Sequence, residues 1–252
     1  MTRRLQHLIQ VWDSRVGYGR SDHLKTFFKI LASKMDSSVI RRFLSYSVLK
    51  SQFDNLNKVE VLENREDVWD KALNLLECKA ITYVEFGVYK GESISYFCAK
   101  NANSGSIFLG LDSFEGLPEA WAGNSAGFFT TSGAIPTLGD SRAGFIKGYF
   151  NETWDNLHTA ILNRNNIIVH FDADLYSSTL FALTKMDLLK QEYFAIFDEF
   201  SGDEVRALSD YLISYGAEVS FLAVQKWRGF PEVVLCIIKP LNSTIEIVKT
   251  FQ

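Results

Sequence analysis

Two kinds of residue in this sequence stand where chemistry is done: carboxylates that close short apolar runs, and glycines that follow them. The run Ile81 to Phe86 contains Glu85 and leads into Gly87-Val88-Tyr89-Lys90-Gly91-Glu92-Ser93, so a carboxylate and two glycines four apart fall where a strand turns into a helix. Glycine at such a turn lets the backbone approach a ligand closely. The run Ile107 to Leu111 ends in Asp112, 27 residues beyond Glu85, which fits the tip of a neighbouring strand and a carboxylate that could accept both hydrogens of a ribose diol. Together the two acids predict a nucleoside site. The G-x-G-x-x-G fingerprint of a diphosphate cradle is missing, and Glu85 would repel a diphosphate, so a cationic cofactor suits it better than a dinucleotide.

A second group of acids follows two later runs, in His170-Phe171-Asp172-Ala173-Asp174 and in Phe197-Asp198-Glu199, with Asp172 and Asp198 26 residues apart. Hard oxygen ligands from two neighbouring strand tips suit Mg²⁺, Mn²⁺ or Ca²⁺ and leave positions open for a substrate. In the plainer alternative Asp174 caps the helix beginning near Tyr176 and Glu199 faces solvent. His170 alternates with Asp172 and faces the same side, as a satisfied core histidine or as a general base. Asp203 and Glu204 open the next helix, where acids favour the positive end of the dipole.

These residues need elements to hold them, and the apolar pattern supplies a regular alternation from Glu66 onward. It predicts a helix around Asp67 to Glu77, strand Ile81 to Phe86, a helix after Gly91 and strand Ile107 to Leu111. A short strand near Phe145 to Lys147 and a helix from about Thr153 come next, then strand Ile167 to Phe171, helix Tyr176 to Lys190 and strand Tyr193 to Phe197. A helix from about Glu204 to Tyr215 leads to Val219 to Val224 and Val233 to Ile238, a hairpin joined by Gln225 to Glu232 at the sheet edge. Continuous apolar runs are those of strands buried on both faces. The whole reads as a doubly wound, mostly parallel α/β sheet over residues 63–252, preceded by a helical extension over residues 1–62. The segment Glu115 to Arg142, with Trp121, Phe128 and Phe129, is too long for an ordinary connection and is expected to be a substrate lid.

Composition narrows the classes. With 252 residues, 47% hydrophobic and 22% charged, the chain can bury a core and is not a disordered one. No stretch approaches the roughly 20 apolar residues of a membrane helix, and the start of the chain lacks a secretory h-region, so a cytoplasmic, unprocessed protein without a membrane partner is expected. Cys78, Cys98 and Cys236 are odd in number and without C-x-x-C spacing, and read as reduced, buried small hydrophobes. Residues 1–50 hold 10 Lys+Arg against 3 Asp+Glu, while the chain as a whole carries a net charge of −4. Basic and aromatic residues are not interleaved and the sequence pI is about 5.6, which disfavours a nucleic-acid partner. The apolar faces of the N-terminal helices point to a homodimer.

The strings Val84 to Gly91, Leu111 to Pro118, Lys147 to Phe150 and Asp172 to Thr179, in that order, resemble the class I S-adenosylmethionine-dependent methyltransferases related to macrocin O-methyltransferase. The resemblance runs from about residue 80 to 240. It implies a Rossmann-like sheet of seven strands with the last antiparallel, S-adenosylmethionine over the first two strand tips, and methyl transfer to an oxygen of a small, often glycosylated, metabolite. On this resemblance Glu85, Gly87 and Gly91 line the methionine part and Asp112 meets the ribose hydroxyls. Tyr89, Ser93, Ser113, Phe114 and Tyr149, in or beside the same motifs, join them around the cofactor. The resemblance also implies a divalent ion such as Mg²⁺ on Asp172, Asp198 and Glu199, the last standing where the family has Asp or Asn. The implied mechanism is an in-line displacement in which a substrate hydroxyl attacks the sulfonium methyl, with Asp172 as ligand or base and His170 or Asp172 acting alone without metal. Two other readings stand beside it: a metal-independent methyltransferase of the same fold, and a non-catalytic nucleoside-binding module.

Overall fold

The computed structural model describes residues 37–241. The chain divides into two units, residues 1–41 and 42–252. The described residues open with helix α1 (Ser37–Gln52). The helices expected around Leu5 to Leu31, and the homodimer expected from their apolar faces, lie outside the described residues.

Eight strands form one sheet: β1 (Glu60–Leu62), β2 (Thr82–Phe86), β3 (Ile107–Asp112), β4 (Ala143–Lys147), β5 (Ile167–Phe171), β6 (Tyr193–Phe197), β7 (Glu218–Trp227) and β8 (Phe230–Lys239). Their order is β1-β7-β8-β6-β5-β2-β3-β4. Neighbours run parallel except around β8, which is antiparallel to both β6 and β7. From β2 the chain winds outward through β3 and β4, then returns to β5 on the other side, so the winding reverses between β2 and β5.

Side chains alternate across each strand and fill a core on either face. Val84, Phe86, Val169 and Phe171 pack with α4 (Phe150–Ile161), α5 (Tyr176–Met186) and α6 (Val205–Tyr215) through Trp154, Leu183 and Leu208. Tyr83, Phe108 and Ile168 pack with α2 (Arg65–Leu75) and α3 (Glu92–Lys100) through Val68, Trp69 and Phe97. Every residue of β2 and of β5 is buried, including Glu85 and His170.

The doubly wound, mostly parallel sheet is the expected one, with an eighth strand added. Glu60–Leu62 pairs with β7 through Glu60 and Ala223, although this stretch reads as helical extension in the sequence. Three largely exposed residues carry no alternation, and only the partner strand makes them a strand. The final hairpin turns tightly on Arg228 (φ 52°) and Gly229 (φ 87°), so its strands are longer than their apolar runs. Of the cysteines, Cys98 and Cys236 are buried as expected; Cys78 is exposed, because it lies in the turn after α2 with φ 60°. No helix among the described residues is long and apolar enough to cross a membrane.

Candidate active site

Strand register brings the candidate acids to one level. Phe86 pairs with Leu111 and with Phe171, and Phe171 with Phe197. Each ladder runs one hydrogen bond further: Gly87 N donates to Leu111 O (2.9 Å), Asp172 N to Phe86 O (3.0 Å) and Asp198 N to Phe171 O (3.1 Å). Gly87, Asp112, Asp172 and Asp198 therefore share the C-terminal edge of the sheet around its switch point, where open α/β sheets hold ligands. A cavity of about 540 Å³ opens there. Gly87 adopts φ +94°, and a Cβ on it would lie 1.9 Å from the Asp172 carbonyl oxygen, so the two turns touch backbone to backbone.

Asp112 is held by backbone donors. Its Oδ2 accepts from the N–H groups of Val88 and Tyr89, both at 2.8 Å, and its Oδ1 from that of Phe114 at 2.7 Å. A carboxylate has about four lone-pair directions, so one on Oδ1 is left for an outside hydroxyl. The diol contact expected through both hydrogens thus finds one acceptor direction. Tyr89 takes a left-handed φ of 51° as it turns its N–H to Asp112, and its ring meets Phe129 edge-on with centroids 5.4 Å apart.

Of the residues expected around a cofactor, Gly87, Tyr89, Ser93, Asp112, Ser113 and Tyr149 line the cavity, and so do Asp172, Asp198 and Glu199. Glu85, Gly91, Phe114 and His170 do not. Glu85 is the penultimate residue of β2 and points into the core beneath α3, where it accepts from Ser93 Oγ and from Tyr83 Oη (3.1 Å). His170 pairs with it in the ladder and is equally buried. Gly91 starts α3 at φ +79° with its open side against Pro136, and Phe114 packs inward on Phe145.

Burial pushes the Glu85 carboxyl up from 4.5 to about 8, against the hydrogen bonds from Ser93 and Tyr83. A carboxyl raised in the folded state contributes stability that is complete below its unfolded value and lost as pH rises through about 8. Glu85→Gln, which cannot ionise, is therefore expected to gain on the wild type as pH rises from 5 to 9, by up to about 1.4 kcal/mol per pH unit. Urea unfolding at both pH values checks it; parallel curves for the two proteins would show that Glu85 is not the titrating group.

The acids at the tips of β5 and β6 repel one another. Burial, then Asp198, holds Asp172 well above the usual carboxylate range. Burial and Glu199 push Asp174 to about 8, and burial and Glu232 push Glu199 to about 8. Asp174 does not cap the following helix: Leu175 is its N-cap, with no side-chain cap. Glu204 stands directly before α6, at the positive end of the helix as expected, and is fully buried there, accepting from Glu199 N–H at 3.1 Å. Asp198 differs: against the upward push of burial, His170 and then Arg65 hold it below its ordinary value.

Arg65 was not among the expected site residues. Asn64 caps α2 by accepting from Asp67 N–H at 2.9 Å, which puts Arg65 in the first turn, facing the cavity. Its guanidinium lies 3.0 Å from Glu92, 4.0 Å from Asp198 Oδ2 and 5.0 Å from the Trp69 ring centroid. The signal available in the sequence is the pair Asn64 and Asp67, which marks a helix start.

No three His, Cys, Asp or Glu side chains among the described residues come together as a set that could hold a metal ion. Asp172, Asp198 and Glu199 share one wall, but Asp198 turns Oδ1 to His170 Nε2 (3.5 Å) and Oδ2 to Arg65. The three-ligand set implied by the resemblance does not fit this arrangement. The segment Glu115 to Arg142 lies over the cavity, with Leu117, Pro118 and Phe129 in its wall. It is tied down by Thr131 N and Gly133 N, both donating to Phe114 O, and by Ser177 Oγ donating to Glu119 at 3.0 Å.

No family model matches the chain, and no curated protein sequence does. Among solved structures, CalS11, a calicheamicin methyltransferase, is similar at 17% identity over 81% of this chain and 94% of that one, with a TM-score of 0.48. An O-methyltransferase from Bacillus cereus in complex with SAH is similar at 12% identity over 86% and 97%, TM-score 0.46. TomG from Streptomyces achromogenes, an O-methyltransferase of tomaymycin synthesis in complex with SAM, is similar at 10% identity over 87% and 96%, TM-score 0.43. Likeness at this level leaves the function to be argued from the cavity.

Proposed function

We propose that this protein transfers a methyl group from S-adenosylmethionine to a hydroxyl of a small molecule. The observation that carries this reading is one cavity that joins Asp112, clamped by three backbone N–H groups beside the turn from Gly87 to Ser93, to Asp172 and Asp198 on the next strand tips. S-adenosylmethionine, when bound, supplies a methyl on a positively charged sulfur, and Asp198, held below the usual carboxylate range, offers that charge an ionised group in the cavity wall. Asp112 takes a ribose hydroxyl on the free direction of Oδ1. Asp172 in its ionised form takes up the proton that the acceptor hydroxyl loses, and burial and Asp198 raise its affinity for that proton. The segment over the cavity, with Leu117, Pro118 and Phe129, keeps water from the acceptor. An acceptor bearing a sugar, as the resemblance implies, is the narrower form of this reading. No step is drawn through a divalent ion, since the carboxylates present do not form its cage.

The test is a calorimetric titration of S-adenosylhomocysteine into the full chain and into Asp112→Ala, in EDTA and again with Mg²⁺. Binding on the order of micromolar is expected, weakened at least tenfold by Asp112→Ala, about 1.4 kcal/mol, and equal in EDTA and Mg²⁺. No heat and no thermal shift for the wild type would overturn the reading.

A further inference from the structure

Beneath the cavity lie two side chains that the reaction above does not use. Tyr83 and His170 are both fully buried. Tyr83 Oη is 3.1 Å from Glu85 Oε2 and 2.8 Å from His170 Nδ1. Ser93 Oγ donates to Glu85 Oε1 at one end; at the other, His170 Nε2 and Asp198 Oδ1 lie 3.5 Å apart, buried, facing each other and with no closer hydrogen-bond partner. Ser93 and Asp198 line the cavity, whereas the three groups between them touch no solvent.

The Tyr83 hydroxyl has one hydrogen, so the row has two orders. In one, Tyr83 donates to Glu85 and accepts from Nδ1–H. In the other, Glu85 carries the hydrogen that Tyr83 accepts, Tyr83 donates to Nδ1, and the ring hydrogen is on Nε2, towards Asp198. In both, the hydroxyl is what tells the two ring nitrogens apart. The other contacts of the ring are edge-on aromatic ones, with Trp69 at 5.7 Å and Phe97 at 6.4 Å between centroids. Such packing holds the plane of an imidazole and is indifferent to whether Nε2 or a ring carbon faces Asp198.

We propose that Tyr83 is a positioning residue that, through His170, holds Asp198 on the cavity wall and ties it to the Ser93 end of the same cavity. The proposal rests on the methyltransferase reading only in naming those ends the acceptor and cofactor ends. Tyr83 acts through a neighbour and touches no reacting atom.

A double-mutant cycle in the full chain tests it. Tyr83→Phe keeps the ring stacked on Phe97 (4.3 Å between centroids) and Asp198→Asn keeps the shape of the wall, so both variants fold. For residues that do not touch, unfolding constants multiply; here the double variant is expected to depart from that product by about fivefold or more. Agreement within about twofold would overturn the proposal. A second readout is spectroscopic: with ¹⁵N-labelled histidine, Asp198→Asn should move the Nδ1 signal of His170 and Tyr83→Phe the Nε2 signal. Far-side nitrogens that stay in place would overturn the relay as well. S-adenosylhomocysteine calorimetry on the wild type separates the two ideas. A coupled cycle without binding heat keeps the relay and drops the methyltransferase reading; binding with an additive cycle does the reverse.

Discussion

Asp172→Asn is expected to lower methyl transfer by about 10²- to 10⁴-fold, the range over which a positioned acid–base group acts, and to leave the affinity for S-adenosylhomocysteine unchanged. The backbone of Asp172 does the structural part, through its N–H bond to Phe86 and the close approach of its carbonyl to Gly87, and Asn keeps both. What is lost is the group that takes the acceptor's proton. Asn also removes a half-buried carboxyl whose ionised form burial and Asp198 disfavour, so the variant should be at least as stable as the wild type. Single-turnover transfer of labelled methyl, with an acceptor found by metabolite screening, measures the rate, and calorimetry measures binding. A tenfold loss of cofactor affinity alongside the rate would place Asp172 in cofactor binding and leave the base unassigned.

Gly87→Ala should be the most damaging single-methyl change, costing about 3 kcal/mol or more. The new Cβ would meet the Asp172 carbonyl at 1.9 Å for oxygen and 2.8 Å for carbon, and neither is a side chain that can swing away. Relief requires the tips of β2 and β5 to part, which stretches the hydrogen bond from Asp172 N to Phe86 O. A suitable control is Gly123→Ala, where φ is also positive (+88°) but nothing lies within 4 Å of the new methyl. That variant should show only the cost of the backbone conformation, about 1–2 kcal/mol. Urea midpoints of the two variants separate collision from strain, and equal midpoints would remove the role given to Gly87 at the switch point.

How far the site could be read from sequence depended on depth more than on chemistry. Ile167–Phe171 and Tyr193–Phe197 were legible to the residue, because strands buried on both faces are unbroken apolar runs. Asp112 was legible because it is the last residue of its strand and clears the sheet edge. Glu85 is the penultimate residue of its run and pairs with Gly110, two residues below Asp112, and that lower level takes it from the cavity wall into the core, beside Tyr83. Alternation gives the face a residue points to, not its height along the strand. Register between distant strands is equally invisible, so the pairing of Glu85 with His170 and the partnership of β1 with β7 belong to tertiary structure. Arg65 enters the site by a third route, carried there by a capped helix that was expected around Asp67 to Glu77 and in fact begins at Arg65.

The position of β8 between β6 and β7 also bears on how the protein is made. On the ribosome, every acid of the cavity, from Glu92 to Glu199, is synthesised before any residue of the closing hairpin. Until residues 218–239 emerge, β6 has an unpaired edge and β1 has no strand to join, and bare edges are where nascent chains pair with one another. A message cut short after β6 would therefore encode the complete set of strand-tip carboxylates on a sheet that cannot close, a product suited to aggregation rather than to binding.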